Sequence, residues 1–288
     1  MSLLKVIVLA IVQGLAELLP VSSSAHVVVA EKLLGLDPSS APMTLLLVML
    51  HSGTMLAVIA YFWPQWRATY FSGAAAFRAF AWQVVVATFF TALVGEAIVK
   101  IIEKTLWRNL PHAEIEDLFS HLEFIAPALA AAGVLIVIAG IFERRHPAGP
   151  VSPAHDMTAP RAGVIGAVQG LCLPFRGFSR SGATISTGLL LGVVKSRAEA
   201  FSFALAVVLT PPLVARELLR LVRAAHAGGA DLRAAALASV LGALVAFIAG
   251  LLALRWLSRW LEGGRWYWFG IYCLVAAAGV MLLHRAGY

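Results

Sequence analysis

Charge is scarce in this sequence: Asp, Glu, Lys and Arg make up 13% of 288 residues, about half the roughly 25% usual in soluble domains. Water is therefore excluded as its main solvent. Cysteine is scarcer still, with Cys172 and Cys273 in apolar surroundings, which argues against a disulfide framework or a thiolate metal site. Acidic residues are outnumbered, and the net charge is +7. The basic excess is spread over short loops between apolar runs, so it speaks for membrane topology rather than a nucleic-acid partner. No nucleic acid is expected.

What the sequence has is apolar length. Hydrophobic residues make up 60% of it, and about 20 helical residues suffice to cross a bilayer. The clearest candidates are Met43–Phe62, Phe124–Phe142, Ala234–Leu254 and Trp266–Leu283. Less uniform runs, Leu3–Leu19, Gln83–Gly95, Val164–Leu173 and Ala200–Val214, are short or interrupted, which predicts re-entrant segments among them. The first run leads into Pro20 and Ser22–Ser24 and then into more membrane sequence, unlike a cleaved signal peptide. Trp63, Trp66, Trp82, Trp107, Trp256, Trp260, Trp266 and Trp268 lie near run ends, where amphipathic rings favour the headgroup layer.

The chain also repeats itself. Val12-Gln13-Gly14-Leu15 recurs as Val168-Gln169-Gly170-Leu171, and each copy is followed by a proline, a serine-rich turn and an apolar run. Two halves that each carry an interrupted helix predict a site where the interruptions meet. The expected fold is all-α: one integral membrane domain over residues 1–288, with inverted repeats of about 1–142 and 162–288, each containing a re-entrant or broken helix. Glu143–Arg161 is the expected hinge. Basic Gln65–Arg78, Glu143–Arg161 and Arg255–Arg265 point to the cytoplasm, and acidic Glu96–Glu123 to the outside. Basic Arg216–Arg233 leaves the span count of the second half open.

Two polar clusters carry the chemistry. In the first, Gln13 and Glu17 lie four apart and share a helix face, Pro20 ends or kinks the helix, and Ser22, Ser23, Ser24 and His26 follow. A carboxylate in an apolar segment costs a few kcal/mol unless it is paired, hydrated or bound to a cation. The second cluster runs from Pro174 through Arg176, Gly177, Ser179, Arg180, Ser181 and Thr184. Its amides, hydroxyls and guanidinium forks suit phosphate oxygens. Together, Glu17 with Gln13 can hold a divalent cation while Arg180 and the turn hold phosphate, and a serine or histidine attacks. Elsewhere, His51 is expected to serve packing, Glu96 and Lys100 to pair at an interface, Glu31 and Lys32 to lie near a helix end, and Pro211-Pro212 to break a helix.

These two motifs, in this order and over a chain of this length, resemble the undecaprenyl-pyrophosphate phosphatase family of the intramembrane bacitracin-resistance type. The resemblance implies hydrolysis of undecaprenyl diphosphate to undecaprenyl phosphate and inorganic phosphate, recycling the lipid carrier of envelope synthesis. It implies Mg2+ or Ca2+ as cofactor, a bacterial inner-membrane location and a site facing the periplasm. By motif position, Glu17 and Gln13 are the metal ligands, and Glu17, Ser23, His26 and Arg180 the catalytic set. Ser22, Arg176, Gly177, Ser179, Ser181 and Thr184 are the phosphate-binding set. The attacking group is Ser23, His26 or a water, with Ser23 favoured and His26 as proton carrier. Gln13 stands where the family signature allows Glu or Gln and removes one negative ligand, and Arg176 stands where proline usually precedes the glycine, offering a second guanidinium for a diphosphate. The expected partners are the polyprenyl diphosphate, the bilayer and, as a further candidate, a second copy of the chain. The alternative reading is a transporter that flips polyprenyl phosphate lipids.

Overall fold

The computed structural model describes residues 2–37, 40–106, 122–146, 149, 154–226 and 232–287. They form ten helices and no strands: α1 (Leu3–Leu18), α2 (Ser23–Leu33), α3 (Ala41–Thr69), α4 (Ala74–Leu106), α5 (Leu122–Arg145), α6 (Ala159–Cys172), α7 (Arg180–Leu190), α8 (Lys195–His226), α9 (Leu232–Glu262) and α10 (Tyr267–Arg285).

Five of them, α3, α4, α5, α9 and α10, are long and apolar enough to cross a membrane. Four of these match the expected spans. The fifth, α4, absorbs Gln83–Gly95, which the sequence broke off too early: nothing in Ala74–Leu106 interrupts the backbone hydrogen bonds, and the small or polar residues at its ends merely dilute the hydropathy. Pro211-Pro212 does not end a helix either, because α8 runs through both. A proline removes one N–H donor but holds φ near the helical value, so a long helix survives two in succession.

The interrupted segments form two helix hairpins. The open end of α1/α2 is tied by Lys5 Nζ donating to the Leu34 carbonyl over 2.6 Å, and Val6 and Leu9 pack there with Met43 and Leu46 at the start of α3. At the open end of α6/α7, Val194 N–H donates to the His155 carbonyl over 3.0 Å. This end lies by the finish of α3, where Gln65 Nε2 donates to the Ser196 carbonyl over 3.0 Å. A helix of 29 residues is about 43 Å long at ~1.5 Å per residue, so the hairpins are anchored near opposite ends of the bundle and their tips meet between them.

Glycines let the hairpins lie close to the long helices. A Cβ on Gly14 would stand 2.8 Å from the Ala246 carbonyl of α9, and one on Gly166 2.1 Å from the Ala87 carbonyl of α4. Without a hydrophobic force between helices in lipid, such small-residue contacts supply much of the packing.

The tryptophans divide. Trp63, Trp82, Trp256 and Trp268 are exposed, as an interfacial belt requires. Trp66 and Trp266 are buried instead, and their indole N–H groups donate to the Ala200 carbonyl (3.1 Å) and the Ser186 hydroxyl (3.0 Å). They fasten α3 to α8 and the start of α10 to α7. Trp107 lies outside the described residues, as do most of the acidic segment after Leu106 and residues 147, 148 and 150–153 of the expected hinge. Glu143, at the end of α5, is buried in an ion pair with Lys195 at 2.8 Å. Glu96 and Lys100 form the expected exposed pair at 3.1 Å.

Candidate functional site

The site forms where the two hairpin tips meet. Glu17 lies one residue before the end of α1, and Leu19–Ser22 reverse the chain into α2. Ser22 makes this turn at φ 68° and ψ 95°, the one positive-φ residue other than glycine among those described. Such a conformation costs about 1–3 kcal/mol and persists only where its surroundings enforce it. Here His26 Nδ1 donates to the Ser22 carbonyl over 2.8 Å, and the Ser22 and Ser24 hydroxyls are 3.2 Å apart.

The facing turn, Leu173–Ser179, needs a glycine at position 177. Gly177 has φ 103°, and a Cβ there would stand 2.4 Å from the Ile125 carbonyl. Its N–H donates to Ser24 Oγ over 3.2 Å, which joins the two tips directly. Ser179 caps α7 by accepting from Gly182 N–H at 3.2 Å.

Glu17 is the hub. Arg180 Nη2 donates to its Oε1 over 3.0 Å. Ser23 Oγ donates to Oε2 over 2.6 Å, and Gln13 Nε2 donates to the same oxygen over 3.2 Å. His51 Nε2, from α3, stands 3.8 Å from Oε2, while its Nδ1 donates to the Leu47 carbonyl over 2.8 Å. Beside this hub lies a cavity of about 130 Å³ lined by Glu17, Ser22, Ser23, Ser24, Arg176, Ser179, Arg180 and Ser181, with Phe175 and Phe178 among its apolar walls. A void of about 10–15 Å³ suffices for one water, so this one has room for a phosphate group. A smaller cavity of about 20 Å³ lies against the other side of Glu17 and Arg180, bounded by His51, Thr54, Phe203 and Thr210.

Most of the residues singled out in the sequence are thus brought together, with three differences. His26 does not line the cavity: its Nε2 accepts from the Tyr272 hydroxyl of α10 over 2.7 Å. Thr184 also stands apart, donating to the Arg180 carbonyl (2.8 Å) and sharing a hydrogen bond with Ser202 (2.5 Å). The Gly177 amide is already engaged by Ser24. Conversely, His51, expected to serve packing, stands 3.8 Å from Glu17 Oε2, and Tyr272 carries no signal in the sequence. A polar ring inside an apolar run was the available signal for His51.

The expected Mg2+ or Ca2+ requires several oxygen ligands, about 2.0–2.6 Å from the ion. Both Glu17 oxygens already accept hydrogen bonds, Gln13 turns its N–H₂ group toward them, and His51 offers an imidazole 3.8 Å away. No group of three or more His, Cys, Asp or Glu suited to a metal occurs among the described residues. This donor set does not fit a resident hard cation.

Fold and site together define a polytopic membrane protein whose polar centre lies at the meeting point of two helix hairpins. The chain belongs to the bacitracin resistance protein BacA family, whose model matches residues 6–279. It is 54% identical over 286 residues to an undecaprenyl-diphosphatase 2 of Acinetobacter baylyi, with 98% of each chain covered. It is 34% identical over 287 residues to an undecaprenyl-diphosphatase 1 of Burkholderia pseudomallei, with 96% of this chain and 95% of that one covered. To an undecaprenyl-diphosphatase of Rhodopirellula baltica it is 29% identical over 284 residues, with 98% of each covered.

Proposed function

We propose that this chain hydrolyses undecaprenyl diphosphate to undecaprenyl phosphate and inorganic phosphate, with Ser23 as nucleophile and Glu17 as its base. The relatives' activity supplies the substrate, and the observation that carries the chemistry is the 2.6 Å hydrogen bond from Ser23 Oγ to Glu17 Oε2 beside the cavity. A base must lie within hydrogen-bond reach of the proton it removes, about 2.6–3.2 Å. His26, whose two ring nitrogens are engaged by the Ser22 carbonyl and Tyr272, takes a positioning role on this reading and holds the strained turn that presents Ser23.

The terminal phosphate enters the cavity against Arg180 and the serine hydroxyls, and Arg176 takes the second phosphate. A guanidinium has five N–H donors, enough to hold Glu17 and phosphate oxygens together. Ser23 Oγ attacks the terminal phosphorus and its proton passes to Glu17. The bridging P–O bond breaks, and the prenyl monophosphate leaves with that electron pair. Glu17 passes that proton to the departing monophosphate; water then attacks the phosphoserine and gives a proton to Glu17, the P–Oγ bond breaks, Ser23 Oγ takes that proton, and inorganic phosphate departs. Catalysis of this kind is mostly positioning and neutralisation of charge.

Two inverted repeats account for hairpins anchored at opposite ends of the bundle. The bacterial inner membrane is the location, with the cytoplasm on the side of the basic segments. Gln65–Arg78, Glu143–Arg161 and Arg255–Arg265 cluster at one end, where Lys195 meets Glu143 and the Glu262 carbonyl, Gln65 meets Ser196, and Arg144 stacks over Tyr267. The α1/α2 hairpin then opens toward the periplasm. The lipid-carrier alternative is not favoured, since these relatives bear the names of diphosphatases.

The test is phosphate release from undecaprenyl diphosphate by the purified protein in detergent, beside Ser23→Ala. In hydrolysis-impaired variants, one equivalent of undecaprenyl phosphate formed while the terminal phosphate stays on the protein supports the serine. Release by Ser23→Ala at the wild-type rate removes it, and no release by the wild type removes the reading.

A further inference from the structure

Gln13 is one helical turn from Glu17, 1% exposed, and its amide nitrogen is the end that faces the carboxylate. A carboxylate can only accept, so the amide is fixed with N–H₂ toward Glu17 and its carbonyl oxygen away. Glu17 has about four lone-pair directions. Arg180 takes one on Oε1, and Ser23 and Gln13 take those on Oε2, with His51 Nε2 standing 3.8 Å from that oxygen. A magnesium or calcium ion needs bare oxygen where this site presents N–H, and imidazole is a poor ligand for either ion. The charge that such an ion would neutralise is already met by the Arg180 guanidinium at 3.0 Å.

We infer that the resting protein binds no hard divalent cation at Glu17, and that Gln13 is the residue that decides this. An acid in its place would put two carboxylates one turn apart on the same face of α1, where like charges repel unless a cation lies between them. Gln13→Glu thereby builds the cation site that the wild type lacks. The inference rests on reading Glu17 as the proton acceptor of Ser23, a role that a resident cation on Oε2 would obstruct.

The experiment is Mn2+ binding to the full-length protein in detergent without substrate, read by the loss of the free-ion electron paramagnetic resonance signal. Wild type and Glu17→Gln are expected to bind equally weakly, with no equivalent that depends on Glu17. Gln13→Glu should gain one equivalent, bound at least tenfold more tightly, which the double variant with Glu17→Gln loses. A wild-type equivalent that disappears in Glu17→Gln overturns the inference, and so does a folded Gln13→Glu that gains nothing. Should Gln13→Glu fail to fold, the comparison of wild type with Glu17→Gln decides alone. Because binding is measured without turnover, failure of the hydrolysis assay would count against the proposed function and leave the Mn2+ result standing.

Discussion

Ser23 and Glu17 belong to different helices, yet the serine donates its hydroxyl hydrogen to the carboxylate over 2.6 Å. The intervening turn passes through Ser22 at φ 68° and carries the chain from Glu17 back to Ser23. Glu17→Gln keeps the shape of the side chain and removes the base. It should lower kcat by about 10²–10⁴-fold, the usual worth of a positioned acid or base, with a smaller change in KM. Steady-state phosphate release checks this, and a loss under threefold would discard Glu17 as the base.

Arg180 donates to Glu17 and lines the cavity proposed to take the terminal phosphate. Arg180→Ala should cost about 10³–10⁵-fold, the range seen for a guanidinium that neutralises a phosphoryl transition state. Arg180→Lys should recover only a minor part, since an ammonium lacks the planar fork. Thermal unfolding of both variants in detergent separates lost chemistry from lost folding.

Arg176 lies on the cavity wall and is exposed. Arg176→Ala should raise KM for the diphosphate more than for a monophosphate analogue, by about tenfold, corresponding to ~1.4 kcal/mol for one charge-assisted contact. An equal effect on both substrates would refute a role at the second phosphate.

Gly177 has no room for a side chain: φ is 103° and the Ile125 carbonyl would stand 2.4 Å from a new Cβ. Gly177→Ala should destabilise the protein by about 1–3 kcal/mol from the backbone alone, and activity should fall further than stability because Ser24 and Arg180 flank the displaced turn. Unfolding temperature and kcat measured together provide the check.

His26 and Tyr272 share one hydrogen bond, but only His26 holds the Ser22 carbonyl. Tyr272→Phe should cost under about tenfold, in line with one hydrogen bond of roughly 0.5–1.5 kcal/mol. His26→Ala should cost much more. Equal losses would show that the pair acts as a unit.

Much of this was legible along the chain. Apolar length marked four of the five candidate spans, and the paired Val-Gln-Gly-Leu motifs marked the two hairpins. The motifs did not reveal their different uses. Gln13 donates to Glu17 beside the cavity, whereas Gln169, at the matching position, donates to Thr91 Oγ1 over 3.1 Å and serves packing. Identical local sequence cannot say which helix will lie opposite. The same limit explains His51, which reads as a packing residue until α3 is laid beside α1. It also explains Trp66 and Trp266, whose places at run ends fit an interfacial belt but which turn inward to acceptors on α8 and α7.

The sequence by itself determined the solvent, the helical class, the presence of two interrupted helices and the residue types needed for a phosphate, because hydropathy and helix-breaking act over a few residues. Tertiary structure decided which groups meet. Glu17 and Arg180 are 163 positions apart, and their contact follows from two hairpins entering the bundle from opposite ends, a packing that no local preference encodes. In that meeting the carboxylate acquired its donors from Arg180, Ser23 and Gln13.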